Sequence, residues 1–262
     1  MATRDEINRR EEWVLERLLE MGIVAVDEIC SEFKVSLTTA RRDLEALEER
    51  GRLRRTHGGA ISVEPLLYEA FAHVSSYREQ IEKFADEKRR IALAAAALIH
   101  TGDTIAVTPG TTTTQIMRAI PPRKTFMVVT NTVSVAMELA NRPDVGVFVT
   151  GGFLHGGWFS LVGETAMEAM RHIFVDKLFI GSNGLHVEHG ATAYHPEEAA
   201  LNRVMVRQAR EKIVVVDHSK LGVLATYPFC PIGEVNCLIT DTGATDEMVA
   251  GFVAKGIDVR RV

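Results

Sequence analysis

Apolar residues recur with a helical period between Asp5 and Met21, where Ile7, Val14, Leu15, Leu18 and Leu19 mark one side and Gly22 ends the run. Val24-Ala25-Val26 reads as a short extended link, and Asp27 is placed to cap a second helix holding Ile29, Cys30 and Phe33. After Val35 a third helix is predicted. Leu37, Ala40, Leu44 and Leu47 form its stripe, Ser36 is its N-cap, and Gly51 offers a left-handed cap at its end. Arg52, Arg54, Arg55 and His57 then lead into a turn at Gly58-Gly59. Helix, helix, turn, helix and β-wing is the order of a winged helix-turn-helix.

Past Ala60 the pattern loses its period, and 61–77 reads as a linker with some apolar anchors. Residues 78–99 predict one long helix, alanine-rich at Ala92 and from Ala94 to Ala97, with Gly102 beyond its end. Short runs that are apolar throughout follow at 104–107, 126–130, 145–150, 177–181, 212–217 and 237–241, separated by helical segments. Such strands have no polar face to turn to water, which indicates a mostly parallel sheet covered on both sides. The predicted architecture is therefore a winged helix-turn-helix domain at 1–60, a linker at 61–77, and a doubly wound, mostly parallel α/β domain at 78–262. Sheets of this kind bind ligands at the carboxyl ends of their strands.

Composition narrows the function. A chain of 262 residues with a formal net charge of −5 is no basic nucleic-acid coat protein, and Glu11, Glu12, Glu16 and Glu20 offset the arginines even near the N-terminus. Any DNA binding must rest on where the charges stand. The three cysteines, Cys30, Cys230 and Cys237, have neither disulfide-framework nor zinc-site spacing and read as small buried hydrophobes in a reducing compartment. No apolar run approaches the roughly 20 residues of a membrane span, and the polar start lacks a signal-peptide core. The expected location is the cytoplasm, with no cofactor, metal site or catalytic residue.

The third helix carries Thr38, Arg41 and Arg42 opposite its apolar stripe and early in the helix, with Glu45, Glu48 and Glu49 in the later turns. Taken alone, such a helix reads equally well as a solvated surface helix. The wing tips that balance, because four potential cations in six residues call for phosphates. VSLTTARRDL (Val35 to Leu44) and RTHGGA (Arg55 to Ala60) resemble the N-terminal signature of the DeoR family of bacterial transcription regulators, with Ala40 where the family has a β-branched residue or Leu. In that register Thr38 and Arg41 are expected to read base edges of double-stranded operator DNA. Ser36, Arg42, Arg52, Arg55 and His57 are expected to hold phosphate, with Thr39 and Arg54 in the same DNA-facing set.

In the second half, small polar motifs fall where strands end. Thr108-Pro109-Gly110 and Thr111 to Thr114 lead into a helix, so amides and hydroxyls there can cradle a phosphate, although a β-branched turn with incidental hydroxyls fits as well. Thr130-Asn131 and Thr150-Gly151-Gly152 add to the same expected rim. Asp176 opens one strand, and Asp217-His218-Ser219-Lys220 closes another. Glu197 and Glu198 open a helix, where carboxylates can hold sugar hydroxyls or simply favour the helix dipole. Lys220 sits where a ligand anion would be, or is a solvated loop lysine.

GTTT, VTN, TGG, VGE, DKLFIG, DHSK and LITD extend the DeoR resemblance, in order, across this half. The resemblance implies an effector domain similar in fold to ribose-5-phosphate isomerase that senses phosphorylated sugars or related metabolites. It makes Gly110, Thr111, Thr112, Thr113, Asn131, Gly152, Asp176, Glu198 and Lys220 candidate effector contacts. Pro109 and His155 depart from the family pattern, and His155 reads equally as a ligand contact or an ordinary loop histidine. The function expected is a sugar-phosphate-responsive regulator, a repressor of a carbohydrate operon acting as a dimer or higher homo-oligomer. The alternative is an isomerase-like enzyme with a DNA-binding domain attached, for which the glycine-rich lysine loop and paired aspartates of such isomerases are not seen in the sequence.

Overall fold

A computed structural model describes residues 4–50, 52–62, 75–155 and 158–262. The chain separates into two compact units, Met1–Ala70 and Phe71–Val262. Gly51, the expected helix cap, and residues 63–74 of the expected linker lie outside the described residues.

The first unit runs α1 (Arg4–Met21), β1 (Ile23–Ala25), α2 (Val26–Phe33), α3 (Leu37–Glu49), β2 (Leu53–Thr56) and β3 (Gly59–Ser62). Val14, Leu18, Ile29, Ala40, Leu44, Leu47 and Leu53 close its core. Removing Leu44 or Leu47 from such a site costs about 2–5 kcal/mol, since the cavity adds to the lost transfer energy. One position of the predicted stripe does not join it: Leu37, in the first turn of α3, is 49% exposed. Asp43 takes a buried place instead, held by Arg10 through Nε (2.7 Å) and Nη2 (3.2 Å). The start of α2 also differs from expectation. Ala25 is its N-cap rather than Asp27, and its N–H is taken by the Glu28 carboxylate at 2.9 Å.

β2 and β3 form an antiparallel hairpin whose two-residue loop is His57-Gly58, so Gly59 belongs to the strand and not to the turn. β1 pairs with β3 on its other side. Gly59 is required there because a Cβ would stand 2.2 Å from the Val24 carbonyl oxygen.

The second unit contains a seven-stranded sheet in which every neighbouring pair is parallel. Its strands are β4 (Thr104–Val107), β5 (Phe126–Thr130), β6 (Val145–Val149), β9 (Val175–Ile180), β12 (Ala209–Val215), β14 (Cys237–Thr240) and β15 (Asp258–Arg261), in the order β15-β14-β12-β9-β4-β5-β6. Alternation sends Ile105, Val107, Phe179, Ile213 and Val215 to one face and Ala106, Leu178, Ile180 and Val214 to the other. The first face is covered by α5 (Ala85–Ala96), α6 (Thr111–Ala119) and α7 (Val133–Leu139). The second is covered by α8 (Glu164–Arg171), α9 (Pro196–Gln208) and α10 (Asp246–Ala254). Both faces are therefore dry, as strands without a polar side require.

The long helix predicted at 78–99 is two helices, α4 (Ser75–Glu82) and α5, broken at Lys83-Phe84. Phe84 takes φ 55°, and its ring packs edge-on against His218 at 4.7 Å. The break leaves carbonyls at the end of α4 without the N–H groups an unbroken helix would supply. The Lys88 ammonium takes two of them, donating to the oxygens of Gln80 and Lys83.

Strand β15 was not predicted, nor were the short strands flanking the main sheet. These are the hairpin β7 (Phe153–His155) with β8 (Ser160–Val162), and a three-stranded sheet of β10 (Gly184–His186), β11 (Gly190–Ala193) and β13 (Tyr227–Cys230). Among the described residues no helix is long and apolar enough to cross a membrane, and no cluster of His, Cys, Asp or Glu could hold a metal ion. Cys230 and Cys237 are buried, which pushes their thiols up to about 12 and about 11.

Candidate DNA face and effector cavity

α3 is capped by Ser36, whose Oγ accepts the Thr39 N–H at 3.2 Å and lies 3.0 Å from the Thr39 hydroxyl. Both side chains therefore shape the helix start, and their further use on phosphate competes with this cap. Thr38, Arg41 and Arg42 are exposed on its first turns, and Arg54 and His57 are exposed on the wing. Among the described residues Arg41, Arg42 and Arg54 make no ion pair, so their guanidiniums stand ready for a polyanion. Arg55 differs. It is turned back onto α3, 3.3 Å from Glu45 and 3.5 Å from Glu48, and its backbone N–H donates to Glu48 at 2.8 Å. The glutamates of the last turns thus hold the wing in register, and Arg55 reaches the surface already neutralised. Arg52 is half-buried at the start of the wing.

In the second unit the carboxyl ends of β4, β9 and β12 open into a cavity of about 260 Å³. Gly110, Thr111 and Thr112 line it at the N-terminus of α6, with Lys220 and Asp217 after β12, Glu198 and Asn202 on α9, and Ser182 and Asn183 after β9. The first N–H groups of α6 have no partner within the helix, and the first backbone bond to close is from Thr114 to Gly110 at 3.1 Å. The four threonines divide by role. Thr113 and Thr114 donate their hydroxyls to the Gly110 carbonyl at 2.9 and 2.8 Å, and Thr113 also approaches the Thr108 carbonyl at 2.8 Å. The hydroxyls of Thr111 and Thr112 have no such partner among the described residues, and both residues line the cavity. Ser182 Oγ and Asn202 Oδ1 are buried without a partner among the described residues, a cost that a polar ligand would relieve.

Glu198 is buried, with one oxygen accepting the Ser160 hydroxyl at 2.7 Å, whereas Glu197 is exposed. Of the two acids only Glu198 belongs to the cavity, and Glu197 is left to the helix dipole. Lys220 ends a single 3-10 turn, His218–Lys220, capped by Asp217 through the Ser219 N–H at 3.1 Å. The turn is pinned by Asp241, which accepts the His218 N–H at 2.7 Å and stands 2.7 Å from the ring Nδ1.

Several candidates from the sequence are not brought to the cavity. Asp176 is the second residue of β9, so it lies at the amino edge of the sheet, where its carboxylate accepts the Thr104 N–H at 3.0 Å. A residue that opens a parallel strand is a strand's length from the rim that its end supplies. Asn131 is buried, donating to the Leu161 carbonyl at 3.0 Å, and positions the β7–β8 hairpin. Gly152 is exposed at φ 109°, where a Cβ would meet the Val162 oxygen at 2.5 Å. His155 packs its ring 4.6 Å from that of His195, outside the cavity lining. Thr113 is held inside its own turn.

The sequence reading missed Lys88, Gln80, Asn202, Trp158 and Tyr194, all of which line the cavity. Lys88 is 2% exposed. Burial pushes its ammonium down to about 8, with Lys220 and Lys83 adding to the fall and Asp217 and Glu87 opposing it. The signal available was its position four residues after Phe84 on the stripe of Ile91, Ala92 and Ala95, where a lysine must turn inward.

Family models match residues 10–65, as a DeoR-like helix-turn-helix domain, and residues 83–242, as a DeoR C-terminal sensor domain. The chain is 34% identical over 228 residues to the HTH-type transcriptional repressor GlcR of Bacillus subtilis (strain 168), covering 87% of this chain and 86% of that one. It is 34% identical to the HTH-type transcriptional regulator GlpR of Haloferax volcanii, over 88% of this chain and 89% of that one. With the putative aga operon transcriptional repressor of Escherichia coli O157:H7 it shares 30% identity over 96% of this chain and 93% of that one. Among solved structures, ribose 5-phosphate isomerase A from Methanocaldococcus jannaschii matches 53% of this chain and 55% of its own, at 17% identity and a TM-score of 0.40. Matched in order by both domain models and aligned with such relatives over most of its length, the chain belongs to the DeoR family of transcriptional regulators.

Proposed function

We propose that this chain represses a carbohydrate operon by binding its operator through α3 and the wing, and that a phosphorylated sugar occupying the cavity controls that binding. The observation that carries the reading is the convergence, at one set of strand ends, of two lysines, the free N–H groups of α6 and a group of hydroxyl-binding side chains. An anion is favoured by the helix N-terminus and by Lys220, while Glu198, Asn183 and Asn202 suit hydroxyls. Names of the relatives support the repressor role. A single wing and short helix cover few base pairs, so the regulator acts as a dimer or larger assembly that presents two heads to repeated half-sites. Sedimentation of the full chain at micromolar concentration is expected to show that assembly.

The test of the effector is a thermal-shift panel of pentose and hexose phosphates beside the same sugars without phosphate. Stabilisation is expected only from a phosphorylated compound, by mass action on the native state, and the same compound should alter operator binding. Turnover of any of them at ordinary enzymatic rates would overturn the reading in favour of an isomerase-like enzyme.

A further inference from the structure

Lys88 is a buried cation whose two hydrogen bonds among the described residues both go to main-chain carbonyls, and it makes no ion pair there. Its ammonium carries three hydrogens. Two are taken by the carbonyls of Gln80 and Lys83, at and just past the end of α4, where the helix dipole favours a cation. The third has no acceptor among the described residues, and Lys88 lines the same cavity as Thr111, Thr112 and Lys220. Gln80, one of the two residues it holds, lines that cavity too.

We propose that Lys88 is an anion-binding residue that ties occupation of the cavity to the order of α4: it gives its third hydrogen to the ligand's anionic group while keeping the other two on the end of the helix. The idea rests on the reading of the cavity as an anion site. No existing bond must break for the ligand to be gripped, because the ammonium has a donor to spare. Without an anion, the dry surroundings pull the ammonium down to about 8, so the charge that grips both carbonyls is held at a desolvation cost. An anion offsets that cost and so tightens the hold on α4. α4 is the first described element after residues 63–74, the stretch that leads from the DNA-binding unit in the sequence, so a ligand here acts on the segment through which the two units are joined.

Hydrogen exchange of the full chain, read by mass spectrometry with and without saturating inorganic phosphate at matched ionic strength in chloride, tests this. In the wild-type chain phosphate should slow exchange several-fold both at 111–113 and in the last turn of α4. In Lys88→Met, α4 should exchange faster than in wild type from the outset and should no longer respond to phosphate, while 111–113 stay protectable through Lys220 and the helix amides. Lys88→Gln serves the same purpose if the Met variant does not fold. Protection at 111–113 with α4 unchanged in wild type, or an α4 response that survives loss of Lys88, would overturn the role of Lys88 and leave the cavity reading standing. No protection at 111–113 would remove the cavity reading and this inference with it.

Discussion

The arginines of α3 and the wing, and the lysines of the cavity, are all cations, but they stand in opposite surroundings. Arg41, Arg42 and Arg54 project into water with no ion pair among the described residues, whereas Lys88 is buried against main-chain carbonyls and Lys220 ends a capped turn. Exposed guanidiniums suit a long polyanion, because their attraction acts at a distance, adds over many phosphates and weakens with salt. A buried ammonium suits one small anion, whose charge makes up for the solvation the lysine has given up. The same contrast recurs within the first unit, where Arg10 is buried and paired with Asp43 while Arg41 is exposed.

The largest effect should come from the buried pair. Replacing Asp43 with Ala leaves the Arg10 guanidinium buried without its partner, and denaturant unfolding should show a loss of about 3–5 kcal/mol. An effect as small as that of a surface substitution would mean that Arg10 escapes to water. Lys88 sharpens the comparison through pH. Its folded pKa of about 8 lies below that of an unfolded lysine, so between the two the unfolded chain holds a proton that the folded chain has released. Wild-type stability should therefore climb as pH rises from about 8 to about 10.4, by up to roughly 3 kcal/mol, and Lys88→Met should lack the climb. The charged neighbours that bear on it, Asp217, Lys220, Lys83 and Glu87, are retained in both proteins.

Function separates the two kinds of cation next. Arg41→Ala should cost roughly 1–3 kcal/mol at the operator and blur sequence preference, whereas Lys220→Ala should leave operator binding near normal and abolish the response to the metabolite. In a cell the second is an uninducible repressor. Loss of operator binding by a folded Lys220→Ala protein would instead place Lys220 in the DNA-bound assembly. The smallest effect distinguishes two wing arginines. Arg54→Ala should flatten the salt dependence of DNA binding by about one unit of slope, and Arg55→Ala by less, because Glu45 and Glu48 already neutralise it. Equal slopes would show that the Arg55 pairs open when DNA arrives.

The order of elements was legible in the sequence because period and dryness determine it: alternating Ile105, Ala106 and Val107 can only lie in a sheet covered on both faces. What escaped was whatever depends on a distant partner. β15 reads DVRR, a charged edge whose strand character comes from pairing with β14. The break at Phe84 is invisible because phenylalanine is no helix breaker; its ring is drawn to His218, more than a hundred residues later. Asp176 already reads in the sequence as opening its strand, and it enters the effector set only through the family resemblance, although a residue that opens a parallel strand lies at the edge opposite the rim. Lys88 drew no reading beside Arg89 and Arg90, although its place on the stripe of Ile91, Ala92 and Ala95 carried the signal of its burial.

The division of labour among the four threonines has a consequence for how such a sensor can diversify. Thr113 and Thr114 tie the turn to Gly110 from within, whereas Thr111 and Thr112 line the cavity with hydroxyls that have no partner among the described residues. Ligand preference can therefore drift at two adjacent positions while the loop that presents them keeps its shape. A library confined to 111 and 112 should yield folded proteins with altered appetites, where the same library moved two residues along would yield mostly broken turns.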